Sequence, residues 1–322
     1  MFAVYAAGMD ADDPLSWLRV GELPEPATPD DWVTVHVKAA SLNHHDLFSL
    51  TGQALAADRV PMILGTDAAG VTEDGREVVV YAVVGDADAG SGDETLDPRR
   101  SLLSELYPGT FADTVRVPAR NLIDKPPSLT FEEAACLPTA WLTAYKMIAK
   151  KSQTAPGDTI LVQGAGGGVA TALIVLGKAL GRRVWVTSRE EAKRDWALSI
   201  GADQAFESGA RLPERVDAAM ETVGQATWGH SLKALRPGGV VVISGATSGP
   251  NPPADLNRVF FLQLSIVGST MGTQQDLAEM MAFMAANDVH PVIDRVLPMA
   301  QAAEAFAAML AGDLRGKLVL TP

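Results

Sequence analysis

The sequence predicts an α/β protein: a β-rich N-terminal region, then a doubly wound parallel sheet, then a last strand that returns to the first region. Three observations carry this. Residues 158–189 read as strand, glycine turn, helix and strand; residues 1–125 hold alternating strand patterns without helices between them; and strands and helices alternate from Asp158 to about Asp294. The expected division is 1–125 with 295–322 for the β-rich domain and 126–294 for the parallel-sheet domain.

In chain order, Trp32–Ala40 alternates like a half-buried strand, as does Glu77–Tyr81 after the Asp74-Gly75 turn, and Phe111–Val117 is a further strand. Between them Gly85–Asp97 is rich in Gly, Asp and Ser and reads as a mobile surface loop with no core to hold it. Glu132-Glu133 opens an apolar helical run through Ala134–Lys150 that crosses into the second domain. Pro156-Gly157-Asp158 is a turn, Thr159–Gln163 a short buried strand, Thr171–Leu180 an Ala/Leu/Ile-rich helix stopped by Gly181, and Arg183–Thr187 the second strand. Glu190–Ile200 is the next helix. Val216–Met220, Gly239–Ser244 and Ser265–Gly268 are later strands, with helices at Gly229–Leu235, Gln275–Ala286 and Pro298–Ala311 and a last strand at Lys317–Leu320.

The turn Gly164-Ala165-Gly166-Gly167-Gly168-Val169-Ala170 sits between a strand and a helix. A right-handed crossover puts the helix N-terminus at the carboxyl edge of the sheet, where free N–H groups and the helix dipole attract a pyrophosphate. The turn departs from the strict G-x-G-x-x-G pattern: the best-aligned triplet is Ala165, Gly167 and Ala170, small residues at all three places, and between two strands and opening a helix it reads as a dinucleotide site. The second strand ends in Ser188-Arg189, with Lys193 beyond, rather than in the acid that holds an NAD ribose. Glu190 and Glu191 fall in the first turn of the next helix, where acids suit its dipole. The expected cofactor is NADPH.

A net charge of −13 argues against nucleic acid or an anionic membrane as main partner, so an anionic cofactor must meet a local positive pocket. The single cysteine, Cys136, leaves no disulfide framework or multi-cysteine zinc site. Met1–Ala7 is too short for a signal peptide, and no apolar run is long enough for a bilayer span, so a cytoplasmic location is expected.

The order of domains and a set of landmarks together resemble the medium-chain dehydrogenase/reductase superfamily over nearly the whole length. The landmarks are Ala40-Ser41-Leu42-Asn43-His44-His45-Asp46, Leu64-Gly65-Thr66-Asp67-Ala68-Ala69-Gly70, Leu137-Pro138 with Thr143-Ala144-Tyr145, the glycine turn, Leu235-Arg236-Pro237-Gly238-Gly239, and Gly316-Lys317-Leu318-Val319-Leu320. The resemblance implies a GroES-like domain beside a Rossmann domain, with the active site in the cleft between them. Where the family's alcohol dehydrogenases hold catalytic zinc with Cys, a His-Glu pair and Cys, this chain has Asn43, Thr66-Asp67 and approximately Thr139, and the cysteines of a structural zinc are absent from Asp86–Pro108. Neutral Asn and Thr supply almost none of the ligands a catalytic zinc needs. The chain therefore resembles the zinc-independent quinone oxidoreductase branch, and no metal is expected.

Without a metal, hydride can still be delivered to a carbon made electrophilic by conjugation, as in a quinone or an enone. The expected catalytic residues are Asn43 and Thr66, as donors to the enolate oxygen, and His44. The proton comes from His44, His45 or solvent. Asn43 alternatively holds the nicotinamide ribose. The expected cofactor contacts are Ala165, Gly166, Gly167, Gly168 and Val169 at the turn, and Ser188, Arg189 and Lys193 at the ribose. The resemblance adds Thr222 and Val223 flanking the cofactor, Ser244, Gly245, Ala246, Gly268, Ser269 and Thr270 at the nicotinamide end, Thr143 from the interdomain helix, and Lys317 from the C-terminal segment.

Three functions compete: an NADPH-dependent reductase of small quinones or α,β-unsaturated carbonyls, an enoyl-thioester reductase, and a non-catalytic NADPH-binding protein of the crystallin or sensor kind. The second needs a basic groove for CoA or an acyl carrier, and no Lys/Arg cluster stands out in the sequence beyond the cofactor region. Phe260–Leu262 and Ser265–Val267 form an apolar, β-prone run whose exposed edge invites pairing, so a homodimer is expected.

Overall fold

Val33–Ser41 alternates buried and open positions along its first half and is buried throughout its last residues, and it forms the centre of the first sheet. In the computed structural model, which describes residues 1–322, it pairs antiparallel with Asp67–Thr72, Thr114–Val117 and Lys317–Thr321. Leu122–Asp124 and Glu77–Val80 extend the sheet on one side and Ile293–Pro298 on the other. A smaller sheet orders Leu18–Glu22, Phe2–Ala6 and Met62–Ile63. Val35, Val37, Leu64, Val78, Val80, Phe111, Phe306 and Leu320 are among the residues filling the space behind them. The returning strand is thus where the sequence put it, against the N-terminal β region.

Two compact units result: Met1–Thr139 with Thr273–Pro322, and Ala140–Gly272. The boundaries differ from 125/126 and 294/295 for a physical reason. Phe131–Ala135 packs on Val33–Ser41 and Asp67–Thr72, and the start of helix Gln274–Ala286 is tied to the first unit by Gln274 N–H donating to Glu94 Oε1 at 2.6 Å.

The acidic loop is also a correction. Gly85–Asp97 contains a short helix at Glu94–Leu96, and Thr95 and Asp97 are buried. Its acids are spent on backbone donors: Asp97 accepts from Asp86 and Arg99 N–H, and Asp93 accepts from Thr95 N–H. Composition alone hid this because an acid that satisfies a turn and an acid that faces water look the same in sequence.

In the second unit six strands run parallel in the order Gln204–Glu207, Arg183–Ser188, Thr159–Gln163, Val216–Glu221, Leu235–Ile243, Ser265–Gly268. This is the doubly wound order, with its switch point between Thr159–Gln163 and Val216–Glu221. Thr159–Gln163 is buried at every position, as a strand covered on both faces must be. Helix Gly168–Ala179 follows the glycine turn and ends where Gly181 takes φ +77°. A side chain at Gly177 would lie 2.8 Å from Val184 Cγ2 and 3.0 Å from Ile160 Cδ1, so this glycine sets the close approach of helix to sheet. Gly229–Leu235, read as a helix, is the second half of Gln225–Ala234, and Pro298 ends a strand, Ile293–Pro298, before helix Ala302–Ala311. Phe260 and Phe261 lie in a helix, Leu256–Phe261, not in a strand. No helix is long and apolar enough to cross a membrane.

Candidate active site

In the first unit the ends of three paired strands bring a set of polar side chains together. Ser41 lies opposite Asp67 in the ladder, and Leu42 N–H donates to Leu318 O, which sets Lys317 beside Leu42 and Asn43. Asn43 then starts helix His44–Leu50, whose Asp46 accepts from Asn43 N–H (2.8 Å) and Gly65 N–H (2.9 Å) and so pins the helix start to the Gly65-Thr66-Asp67 segment.

Around Asp67 the bonds interlock. Asn43 Nδ2 donates to Asp67 Oδ2 (2.8 Å) and Thr66 Oγ1 (3.1 Å), and Ser41 Oγ donates to Asp67 Oδ2 (3.1 Å). Thr139 Oγ1 donates to Asp67 Oδ1 (2.5 Å) and lies 3.0 Å from Thr66 Oγ1. Lys317 Nζ donates to Leu42 O (2.6 Å) and Asn43 Oδ1 (2.5 Å), and stands 3.7 Å from Asp67 Oδ2. Two of the expected donors, Asn43 and Thr66, are therefore buried and turned inward, and Lys317 completes their set.

The two histidines separate cleanly. His45 Nε2 bonds Glu105 Oε1 at 3.0 Å, and its Nδ1 is sealed from water with no partner. Glu105 is half-buried, and its partial desolvation opposes ionisation, but the bonds from His45 and from Leu102 N–H hold its pKa below the usual value. His44 is exposed, and desolvation by the surrounding protein together with the Lys317 charge lowers its pKa, so its imidazole is neutral near pH 7. Burial raises the Asp46 carboxyl to about 6, against the opposing pull of His45 and the two backbone N–H groups. Burial likewise pushes the Cys136 thiol to about 12, so it is a core residue and not a nucleophile.

In the second unit the expected cofactor residues gather at the carboxyl ends of the parallel strands. Gly164 takes φ +90°, and Gly167 caps Gly168–Ala179 without a side-chain bond, leaving the first N–H groups of that helix free. A Cβ built on Gly167 would meet nothing within 4 Å, so the turn leaves room for a phosphate. Ala165, Gly166 and Val169 complete it. Ser269 Oγ is buried without a partner, directly after strand Ser265–Gly268, and Thr270 follows it. Gly245 sits so near Thr222 O that a Cβ would lie 2.9 Å from it, which keeps the Ser244–Ala246 turn against Thr222-Val223. Thr143 is buried in helix Leu142–Tyr145, between two π-helical segments. At the end of strand Arg183–Ser188, where the ribose is expected, Ser188 is buried and Arg189 exposed, while Lys193 is held by Glu190 Oε1 at 2.6 Å.

Three residues that the sequence did not single out organise these turns. Glu221 Oε1 accepts from Val223 N–H, Gly224 N–H and Thr227 Oγ1, and its Oε2 from Ser231 Oγ, which fixes the Thr222–Gly224 turn. Gln163 joins Thr187, Ser231 and His230 under the glycine turn. Arg194 Nη1 donates to Ser188 O (2.8 Å) and Arg189 O (3.2 Å) and so holds the strand end. An acid three residues before a glycine at a strand end is the only local signal, and it is common.

The family profile for the alcohol dehydrogenase GroES-like domain matches residues 29–127, and that for zinc-binding dehydrogenase matches residues 168–286. A zinc-type alcohol dehydrogenase-like protein of Schizosaccharomyces pombe is 30% identical, with 93% of each chain covered. The chain belongs to the medium-chain dehydrogenase/reductase superfamily. Acryloyl-coenzyme A reductase of Sulfurisphaera tokodaii is 27% identical over 96% of this chain and 98% of its own. The crystal structure of an NAD-dependent alcohol dehydrogenase superposes over the full length of both chains with TM-score 0.91 and 33% identity.

Membership of the superfamily raises the question of zinc, and the donor set at Asn43, Thr66, Asp67 and Thr139 does not fit it. Asp67 is the one ordinary ligand among them, its carboxylate already accepts from Ser41, Asn43 and Thr139, and an ammonium stands 3.7 Å away. No group of three or more His, Cys, Asp or Glu side chains is arranged to hold a metal. The cofactor turns do fit a nicotinamide dinucleotide, on the open Gly167 cradle and the orphaned Ser269 hydroxyl.

A second feature of this unit is a cavity of about 500 Å³ lined by Arg211, Arg215, Lys233, Arg258 and Glu214. Glu214 pairs with Arg183 and Arg258 with Asp255. This corrects the expectation that no basic cluster exists beyond the cofactor region. The cations are scattered over 48 positions of sequence and meet only because Gly209–Arg215 folds along helix Gln225–Ala234, where His230 Nε2 bonds Ala210 O.

Proposed function

We propose that this protein is an NADPH-dependent, metal-free reductase of quinones or α,β-unsaturated carbonyls. The observation that carries the reading is the Lys317–Asn43–Asp67 arrangement: an ammonium, an amide and a carboxylate saturate one another where the superfamily's zinc enzymes place their ligands. NADPH bound at the second unit supplies hydride. Residues 165–169 hold its pyrophosphate, Ser188 and Arg189 its 2′-phosphate, and Thr222, Val223, Ser244–Ala246 and Gly268–Thr270 the nicotinamide end, with Thr143 beside them. No acid lies at the strand end to hold a free ribose 2′-OH, and Glu190 is engaged by Lys193. His44, exposed and neutral, is the imidazole positioned to carry a proton from solvent, whereas His45 is locked on Glu105. The protein works as a cytoplasmic homodimer on small molecules. A screen of NADPH oxidation against quinones, enones, enals and enoyl-CoAs tests the reading. Turnover should survive dialysis against a strong chelator; activity that dies with chelation and returns with zinc would remove it.

The basic cavity favours a second reading, an enoyl-thioester reductase whose acyl carrier brings several phosphates. On that reading an Arg211→Ala/Arg215→Ala/Lys233→Ala variant raises KM for an enoyl-CoA by at least about tenfold, roughly 1.4 kcal/mol, with no change for an enal lacking phosphate. Equal KM values for both substrates in the variant and the parent would discard it.

A further inference from the structure

Because the donors around Asp67 are few, the hydrogens that could reach a substrate can be counted. The Asn43 amide has two, and Asp67 Oδ2 and Thr66 Oγ1 receive them. Its carbonyl oxygen accepts from Lys317, whose buried ammonium gives two of its three hydrogens to Asn43 Oδ1 and Leu42 O and stands 3.7 Å from Asp67 Oδ2. Ser41 Oγ donates to Asp67. Of Ser41, Asn43, Thr66, Asp67, Lys317 and Thr139, only Thr139 is not buried. Whatever this set does to a substrate passes through the Thr139 hydroxyl.

We propose that Thr139 is the catalytic residue of the set and that its hydroxyl donates to the carbonyl oxygen of the substrate as negative charge develops there. The inference rests on the reductase reading above. With no charge on the substrate, the hydroxyl is satisfied on Asp67 Oδ1 at 2.5 Å. Hydride arriving at the β-carbon moves an electron pair onto the carbonyl oxygen. Rotation about the Thr139 Cβ–Oγ bond then transfers the hydrogen bond from one anion to another, with no covalent bond broken. Asp67 is not stranded by the change. Its Oδ2 keeps Ser41 and Asn43, the Lys317 ammonium remains 3.7 Å away, and the Thr66 hydroxyl lies 3.4 Å from its Oδ1. Thr66 also stands 3.0 Å from Thr139 Oγ1, but its single hydrogen serves Asp67 Oδ1 once Thr139 has turned away, so Thr139 donates unassisted. The bond to substrate is worth making only once charge has developed, so it stabilises the transition state more than the bound ground state. Asn43, Asp67 and Lys317 are positioning residues on this account. They hold the hydroxyl in place and do not touch the substrate.

The test compares Thr139→Val, which keeps the shape, with Thr139→Ser, which keeps the hydroxyl. At saturating NADPH and with the best conjugated carbonyl, Thr139→Val should lower kcat about 100- to 1,000-fold, the usual cost of one lost oxyanion donor, while Thr139→Ser stays within about tenfold of the parent. KM for NADPH should move less than about twofold in both, because the lost bond forms only in the transition state. Full activity in Thr139→Val overturns the proposal. So does an equal loss in Thr139→Ser, since that variant keeps the donor and loses only a methyl group. A second measurement needs no turnover: p-nitrophenolate, whose visible absorption shifts when its oxygen accepts a hydrogen bond, is titrated into NADP⁺-loaded protein. The parent should bind it with a shift, and Thr139→Val should bind at least about tenfold more weakly. Absence of binding to the parent, or equal binding to both, overturns the proposal. If the probe separates the variants while no conjugated carbonyl is reduced, the reductase reading falls and the Thr139 anion contact stands.

Discussion

Arg189 stands exposed where strand Arg183–Ser188 ends, and no carboxylate pairs with it. A single charge pair at short range and intermediate dielectric contributes on the order of 4 kcal/mol, less after solvent screening at so open a position. kcat/KM should therefore favour NADPH over NADH by at least about tenfold, the equivalent of ~1.4 kcal/mol. Arg189→Ala should erase most of that ratio and leave NADH turnover nearly unchanged, as steady-state kinetics with both cofactors will read directly. A parent enzyme that prefers NADH removes the assignment. At this scale the sequence offers candidates where a residue type is itself the signal: glycines at a turn, Arg189 after a strand, Asn43 and Thr66 at positions where a zinc enzyme has ligands. It was silent on Glu221, Gln163 and Glu105, because each acts through bonds to residues brought near only by the folded chain.

The short helix His44–Leu50 shows how an element carries a site. Its start is held by a carboxylate with no exposure, Asp46, and burying that charge costs enough to lift its pKa to about 6. The unfolded chain titrates near ~3.9. Between these values the native state binds the proton more tightly than the unfolded state, so this group's contribution to stability is complete below about pH 4 and is lost as pH rises through 6. Asp46→Asn removes the titration. The stability advantage of the parent over this variant should then shrink by on the order of 3 kcal/mol between about pH 4 and pH 7. Urea melts of both proteins across that range measure the gap, and a gap that does not change with pH would show that Asp46 titrates as an ordinary surface carboxyl. Short apolar, β-branched runs bounded by turn residues or glycine, such as Thr159–Gln163 and Ser265–Gly268, were legible to the residue. Gln204–Glu207 was not, because a polar-flanked edge strand of four residues carries no hydrophobic period, nor was Leu256–Phe261, whose paired phenylalanines mimic a strand.

At the scale of the whole molecule, one edge of the six-stranded sheet is left open. Ser265–Gly268 pairs with Leu235–Ile243 on one side and with nothing on the other, and its Ile266 is 43% exposed. Phe260 and Phe261, in the helix just before it, are 67% and 79% exposed. Such an edge with large apolar side chains around it is a hazard for a soluble chain unless it is covered. A second copy would cover it at least cost: two identical edges meeting antiparallel about a two-fold axis would satisfy each other's backbone groups and bury the same residues from both sides. Fully burying each phenylalanine would contribute roughly 1.5–3 kcal/mol, and every such gain is counted twice in a symmetric pair. Sedimentation equilibrium at micromolar concentration should therefore give about twice 33.9 kDa. Ile266→Lys, which places a charge on the pairing strand without touching either polar cluster, should shift the equilibrium to monomer by at least about tenfold in Kd, because pairing would bring two added ammonium groups onto one seam. A parent protein that sediments only as the 33.9 kDa species would show that this edge stays open in solution.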